Sequence, residues 1–268
     1  MRTHSTKMTK IWHGKTALVT GASSGLGTDF ARQLAAQGCH LILAARRLER
    51  LQELQADIST RYGVKVDCLP IDLAAPDAPR QLYEQIKATG QTVDVLINNA
   101  GHGLYGAFWQ TPWASLHQML ELDMVTLTQL TYLFVADMVA RDSGYILQVA
   151  SIGAFQPTPT YAAYSAAKSY VLSLGEALHY ELRHTHVTCT VLCPGVTRTE
   201  FFEVAGQRMT AYQRLTAMDS AEVARIGLAA LLKGRSYVVA GRINAFFAWS
   251  MRFLPRSLVV ASVNRLMH

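Results

Sequence analysis

Between residues 161 and 170 the chain reads YAAYSAAKSY, three phenols and one ammonium in a run padded with alanine and serine. On a helix, spacings of three and four put Tyr161, Tyr164 and Lys168 on one face, while Tyr170 points elsewhere. A free phenol has a pKa near ~10 and is a poor proton donor and acceptor at neutral pH. A neighbouring ammonium stabilises the phenolate and pulls that pKa down. Helical geometry therefore offers two candidates for acid–base work beside one lysine. The same spacing also suits a tyrosine stripe packed against a core, so the choice rests on the rest of the chain.

Three other polar stretches have types and spacing that matter. TGASSGLG, Thr20–Gly27, follows a short apolar run. Its glycines, Gly21, Gly25 and Gly27, allow a sharp turn and close approach of a pyrophosphate to a helix N-terminus. They follow a G-x-x-x-G-x-G spacing, unlike the G-x-G-x-x-G of many dinucleotide enzymes. NNAG, Asn98–Gly101, closes another apolar run, and its two side-chain amides can bridge neighbouring loops. Ser151 closes a third run, thirteen residues before Tyr164.

The elements that position these residues read as strand, helix, strand, helix. Apolar runs at 15–20, 40–45, 64–70, 93–98, 145–150, 187–192 and 236–241 predict seven short strands. Helical stretches are expected near 26–37, 47–61, 77–89, 113–141, 161–185 and 219–233, with Gly38 as a C-cap of the first. Such alternation predicts a single α/β domain, a doubly wound, Rossmann-type parallel sheet of seven strands covered on both faces. Ligands of such sheets bind beyond the carboxyl ends of the strands, where all the polar motifs fall.

Composition agrees with one large folded domain: 268 residues, 50% hydrophobic and only 16% charged. The net charge of +6 is not one continuous run. It gathers at the N-terminus, at Arg46, Arg47 and Arg50, and in the tail at Arg242, Arg252, Arg256 and Arg265. This predicts an anion-binding patch and a separate basic tail rather than a nucleic-acid surface. Cys39, Cys68, Cys189 and Cys193 form no C-x-x-C pair, and the nine histidines have no metal-ligand spacing, so neither disulfides nor a metal are expected. Residues 1–10 lack the apolar stretch of a signal peptide and are expected to be a flexible extension. No run of 18 uncharged apolar residues occurs, and a reducing, cytoplasmic setting is expected.

In this order, TGASSGLG, NNAG, a serine thirteen before YSAAK, and PGVTRT (Pro194–Thr199) resemble the short-chain dehydrogenase/reductase family over about residues 11–241. The likeness is nearest to bacterial NADP-dependent reductases of broad or unassigned substrate. In the family's Y-x-x-x-K motif the tyrosine stands four before the lysine. The resemblance therefore assigns the acid–base role to Tyr164 with Lys168, and leaves Tyr161 as wall or packing. It implies that Ser151 hydrogen-bonds the reacting oxygen and that Lys168 binds the nicotinamide ribose. It also implies a cofactor cradle of Gly21, Ser23, Ser24, Gly25, Leu26, Gly27, Arg46, Arg47, Asp72, Leu73, Asn99, Ala100, Gly101, Pro194, Gly195, Thr197 and Thr199. Dimers or tetramers packed through helices 113–141 and 161–185 are the implied assembly.

Within that frame the AARR stretch after the second strand places Ala45 where NAD-preferring members carry an acidic residue. Arg46 and Arg47 suit a 2′-phosphate, and cations at a helix N-terminus otherwise oppose its dipole. NADP(H) is the expected cofactor. Asp72 resembles an adenine contact, or else caps a helix. Asp123, in LELDMVTLTQL, replaces the family's usual asparagine and puts a charge into its proton relay. His102, Tyr105, Phe108, Phe155, Gln156, Pro157, Tyr161, Phe201 and Phe202 are expected to line an apolar pocket for a bulky ketone or aldehyde. The alternatives are a cofactor-binding sensor without turnover, disfavoured by the intact Ser151, Tyr164 and Lys168, and a peripheral membrane protein. Residues 243–268, apolar with spaced arginines, are expected to pack on the body or on a second subunit, with an anionic membrane surface as the alternative.

Overall fold

The computed structural model describes residues 11–267; the extension expected at 1–10 lies outside them. Seven parallel strands form the main sheet: β1 (Thr16–Thr20), β2 (His40–Ala45), β3 (Val66–Pro70), β4 (Val95–Asn98), β5 (Gly144–Val149), β6 (Val187–Cys193) and β9 (Tyr237–Val239). Their order is β3-β2-β1-β4-β5-β6-β9. The strands are almost continuously apolar because helices cover both faces. On one face α1 (Gly25–Ala36), α2 (Leu48–Tyr62) and α9 (Ser220–Leu232) bring Phe30, Leu34, Leu51 and Leu228 onto the sheet. On the other, α3 (Ala78–Ala88), α5 (Leu127–Ala140) and α6 (Ala162–Glu181) bring Leu82, Leu130, Phe134, Val171 and Leu172.

The strand order reverses between β1 and β4, which opens a crevice at the carboxyl ends of these strands. The turn after β1 needs its glycines. Gly21 has φ +65 and Gly25 φ +51, and a Cβ on Gly27 would stand 2.2 Å from the Gly21 carbonyl oxygen. Asn99 fastens β4 to this turn, its amide donating to Thr20 O at 2.9 Å. Asn98 instead faces the core and donates to Thr131 Oγ1 and Gln148 Oε1.

The helix expected over 113–141 is interrupted. α4 (Trp113–Leu120) passes through a π-helical turn, Glu121–Thr126, into α5. π-turns recur at functional sites, and this one carries Asp123. The rod Trp113–Ala140 is apolar and long enough to cross a membrane by length and composition. Its residues Leu127, Leu130, Phe134 and Met138 are buried against the sheet, while Trp113 and Tyr132 are exposed.

Beyond β6, a segment absent from the predicted elements crosses the rim. β7 (Thr197–Arg198) pairs with β8 (Met218–Asp219), and between them lie α7 (Phe201–Val204) and α8 (Ala211–Thr216). After β9 come α10 (Arg242–Ser250) and α11 (Arg256–Met267). Pro255 falls between them, as its missing N–H requires. All four cysteines are free, with Cys189 and Cys193 buried in β6. Burial pushes the Cys39 thiol up to about 12.

Candidate active site

Four turns converge on a cavity of about 420 Å³ at the sheet's carboxyl rim. Gly21, Ser23, Ser24, Gly25 and Leu26 line it after β1, Arg46 and Arg47 after β2, Asn99, Ala100 and Gly101 after β4, and Ser151 after β5. Asp72 and Leu73 close one side, and Pro194, Gly195, Thr197 and Thr199 the other. Tyr164 and Lys168 rise from the first turns of α6.

Ser151 is held by its own turn, Gly153 N–H donating to its Oγ at 3.1 Å. Lys168 is buried, donates to Val149 O at 3.3 Å, and lies 5.6 Å from the centre of the Tyr164 ring. Its charge is met by Asp123, whose Oδ2 is 3.2 Å from Lys168 Nζ and whose side chain is 0% exposed. The contact is an ion pair rather than an aligned hydrogen bond, since Oδ2 has no hydrogen-bond partner. Asp123 Oδ1 accepts from the His102 backbone N–H at 3.1 Å. The carboxylate thus ties the π-turn to the loop after β4 as well as to the lysine.

This arrangement corrects one expectation. A lowered Tyr164 pKa was expected from the nearby ammonium; instead it is raised. Withdrawal from water is the larger cause, and the Asp123 charge adds to it. The Ser151 hydroxyl beside it pulls the other way without cancelling either. Burial first and the Asp123 charge second keep Tyr164 a phenol at neutral pH, and Lys168 faces a carboxylate rather than standing as a lone cation. Burial likewise raises Tyr161 and lowers His102.

The two tyrosines of the opening motif separate by partner. Tyr161 is buried and donates to Gln207 Oε1 at 2.8 Å. It stacks on Phe201, with centroids 6.5 Å apart, and meets Tyr164 edge-on at 5.7 Å. It pins the segment between β7 and β8 over the site, and Tyr105 N–H donating to Ala205 O at 3.0 Å does the same.

His102, Gln156, Tyr161, Phe201 and Phe202 line the cavity as expected. Tyr105, Phe108, Phe155 and Pro157 do not. Tyr105 packs behind Tyr161 at 5.5 Å, and Phe108 is turned out to solvent. Phe155 and Pro157 line a neighbouring cavity of about 410 Å³, bordered by Arg256 and Val260. A 3₁₀ turn at Ile152–Phe155 carries Phe155 past the rim. Asp72 caps no helix; its Oδ1 accepts from Ala74 N–H at 3.2 Å in a local turn, and α3 begins only at Ala78.

Two cavity residues have no signal in local sequence. Glu200 Oε2 accepts from Arg47 Nη1 at 3.0 Å, and its other oxygen from Arg50. Those guanidiniums hold its carboxyl below the usual range. Arg47 also reaches Ser23 Oγ at 3.2 Å, whereas Arg46 is exposed and has no ion pair among the described residues. Val263 reaches the cavity from α11. Both contacts join stretches far apart in the chain, which motifs cannot register.

The short chain dehydrogenase model matches residues 15–210, most of the chain. The chain belongs to this family. Among its relatives in the family, a very-long-chain 3-oxoacyl-CoA reductase of Pyrenophora tritici-repentis is 33% identical, covering 95% of this chain and 76% of that protein. A protein of the same description from Phaeosphaeria nodorum is 36% identical over 66% of this chain, which spans only 53% of that relative. A solved short-chain dehydrogenase from Sphingobium yanoikuyae in complex with NADPH superposes with TM-score 0.79 at 28% identity, covering 89% of this chain and 94% of that one. Short-chain dehydrogenases are oxidoreductases that use a nicotinamide cofactor. The glycine turn, which an added Cβ would fill, and the cationic end at Arg46 and Arg47 fit such a dinucleotide.

Proposed function

We propose that the protein is an NADP(H)-dependent reductase acting on the carbonyl of a long, apolar substrate, with Tyr164 as the proton donor. The observation that carries this reading is one cavity with a cationic end at Arg46 and Arg47, a glycine cradle in its middle, and Tyr164, Ser151 and Lys168 against an aromatic wall. The cofactor supplies hydride chemistry when bound. Everything else falls to the chain.

Ser151 and Tyr164 lie beside one another, so a carbonyl oxygen between them receives two hydroxyl donors. Tyr164, kept as a phenol by burial and by Asp123, has the proton that a reduction needs. Lys168 is held by Val149 O and Asp123 within reach of the tyrosine. Phe201 and Tyr161 exclude water from one side of the reacting group. In the reverse direction the same phenol must first lose its proton, which its raised pKa opposes.

A 2′-phosphate suits Arg46, which no carboxylate among the described residues engages, and Ala45 leaves no acidic competitor at the turn. An acyl-type substrate is supported by the names of the fungal relatives and by the apolar lining at Phe201, Phe202, Val204 and Val263. A homodimer or homotetramer is part of the same reading, supported by Trp113, Tyr132 and Tyr180, which α4, α5 and α6 leave exposed. The test is oxidation of NADPH against a carbonyl panel that includes 3-oxoacyl thioesters of increasing chain length. Rates that rise with chain length are expected. No turnover of any carbonyl, with NADPH bound, would leave a binding protein instead.

A further inference from the structure

From Arg242 to the end, the chain carries four arginines and no aspartate, glutamate or lysine. α10 and α11 dock on the body by small residues, with Ala248, Val259 and Val263 buried. Asn244 sits over Gly195 of the Pro-Gly turn and donates to Ala240 O at 2.8 Å. The large side chains point the other way. Phe246, Trp249 and Phe253 are 61%, 54% and 69% exposed, and Ile243, Leu254 and Leu258 are exposed beside them. The rings are contiguous: Phe246 lies 6.3 Å from Phe247 and 6.1 Å from Trp249, which is 4.9 Å from Phe253.

An apolar patch of this kind needs an occupant. Its charge says which. Among the described residues Arg242, Arg252, Arg256 and Arg265 have no acidic partner; Arg252 donates only to the Tyr237 hydroxyl, at 3.2 Å. A second copy seated patch to patch sets arginines against arginines, with no aspartate or glutamate from residues 242–267 on either side. Anionic lipid headgroups supply the missing charge, while the acyl boundary takes up the rings.

We propose that α10 and α11 form a docking surface for an anionic lipid bilayer, with the Phe246–Trp249–Phe253 cluster inserted at the interface and the arginines among the headgroups. The proposal does not rest on the proposed reaction. It has a consequence for access, since the same segment contributes Val263 to the central cavity and Arg256 and Val260 to the adjoining one. Docking places both cavities next to lipid.

The test is flotation of the full-length protein with vesicles of phosphatidylcholine alone or mixed with phosphatidylglycerol. Binding to the anionic vesicles is expected to exceed binding to neutral ones by at least ~10-fold and to weaken with added salt. F246S/W249S/F253S is expected to abolish flotation, with an unchanged melting temperature and an unchanged mass in light scattering. No flotation, or equal flotation with both vesicles, overturns the proposal. A fall in mass for the triple variant also overturns it and assigns the patch to a second copy. The salt and lipid dependence of the unmodified protein decides the matter even if the variant misfolds.

Discussion

Replacing Asp123 by asparagine keeps the shape of the side chain and removes only its charge. Asparagine Oδ1 still accepts from the His102 N–H, so the loop after β4 stays fastened. What changes is the partner of Lys168. Opposite charges 3.2 Å apart attract by about 5 kcal/mol at an effective dielectric near ~20. Much of that offsets the cost of taking both groups out of water, so the informative quantity is the penalty for stranding one of them. Removing one member of a buried pair costs about 3–5 kcal/mol. Lys168 keeps Val149 O and gains a neutral amide, which puts the cost near about 3 kcal/mol. For a domain of this size that lowers the melting temperature by roughly 6–12 °C. The second effect is on Tyr164. Asp123 helps to raise the phenol, so without its charge the tyrosine ionises at lower pH. The alkaline limb of the reductive rate therefore moves to lower pH in D123N, while the rate at neutral pH stays within about tenfold. Melting without cofactor and a pH–rate profile measure the two effects. Unchanged melting together with an unmoved alkaline limb would refute the claim that this carboxylate is electrostatically coupled to Lys168 and Tyr164.

Four further variants separate the remaining roles. Tyr164→Phe should lower turnover by at least ~100-fold with cofactor binding retained. Tyr161→Phe removes the bond to Gln207, costs about 1 kcal/mol and keeps most of the turnover; steady-state kinetics on both reverse the assignment if the losses are exchanged. Arg46→Ala with Arg47→Ala should weaken NADPH far more than NADH, and equal losses in a binding titration would remove the phosphate role from this pair. Glu200→Gln frees Arg47 and Arg50 from their internal carboxylate, so NADPH should bind more tightly while NADH changes little; weaker binding of both would make Glu200 a strut rather than a competitor.

Local rules were enough wherever the physics is local. Alternation of apolar runs and helical stretches identified all seven strands of the main sheet within a few residues, because a parallel strand buried on both faces must be apolar along its length. Spacing put Tyr161, Tyr164 and Lys168 on one helical face, and the glycines of 20–27 could be read because the turn leaves no room for a side chain: a Cβ on Gly27 would stand 2.2 Å from the Gly21 carbonyl oxygen. Family likeness, not periodicity, separated Tyr164 from Tyr161. Tertiary structure decided what depends on chain crossings. It converted a continuous helix into one with a π-turn, and so placed Asp123 against Lys168 forty-five residues on. It set Glu200 across Arg47 and Arg50, moved Phe155 out of the central cavity and brought Val263 into it. It also reversed the expected direction of the Tyr164 pKa, because a sequence carries no record of the water that the fold excludes from the phenol, nor of the carboxylate that it buries beside it.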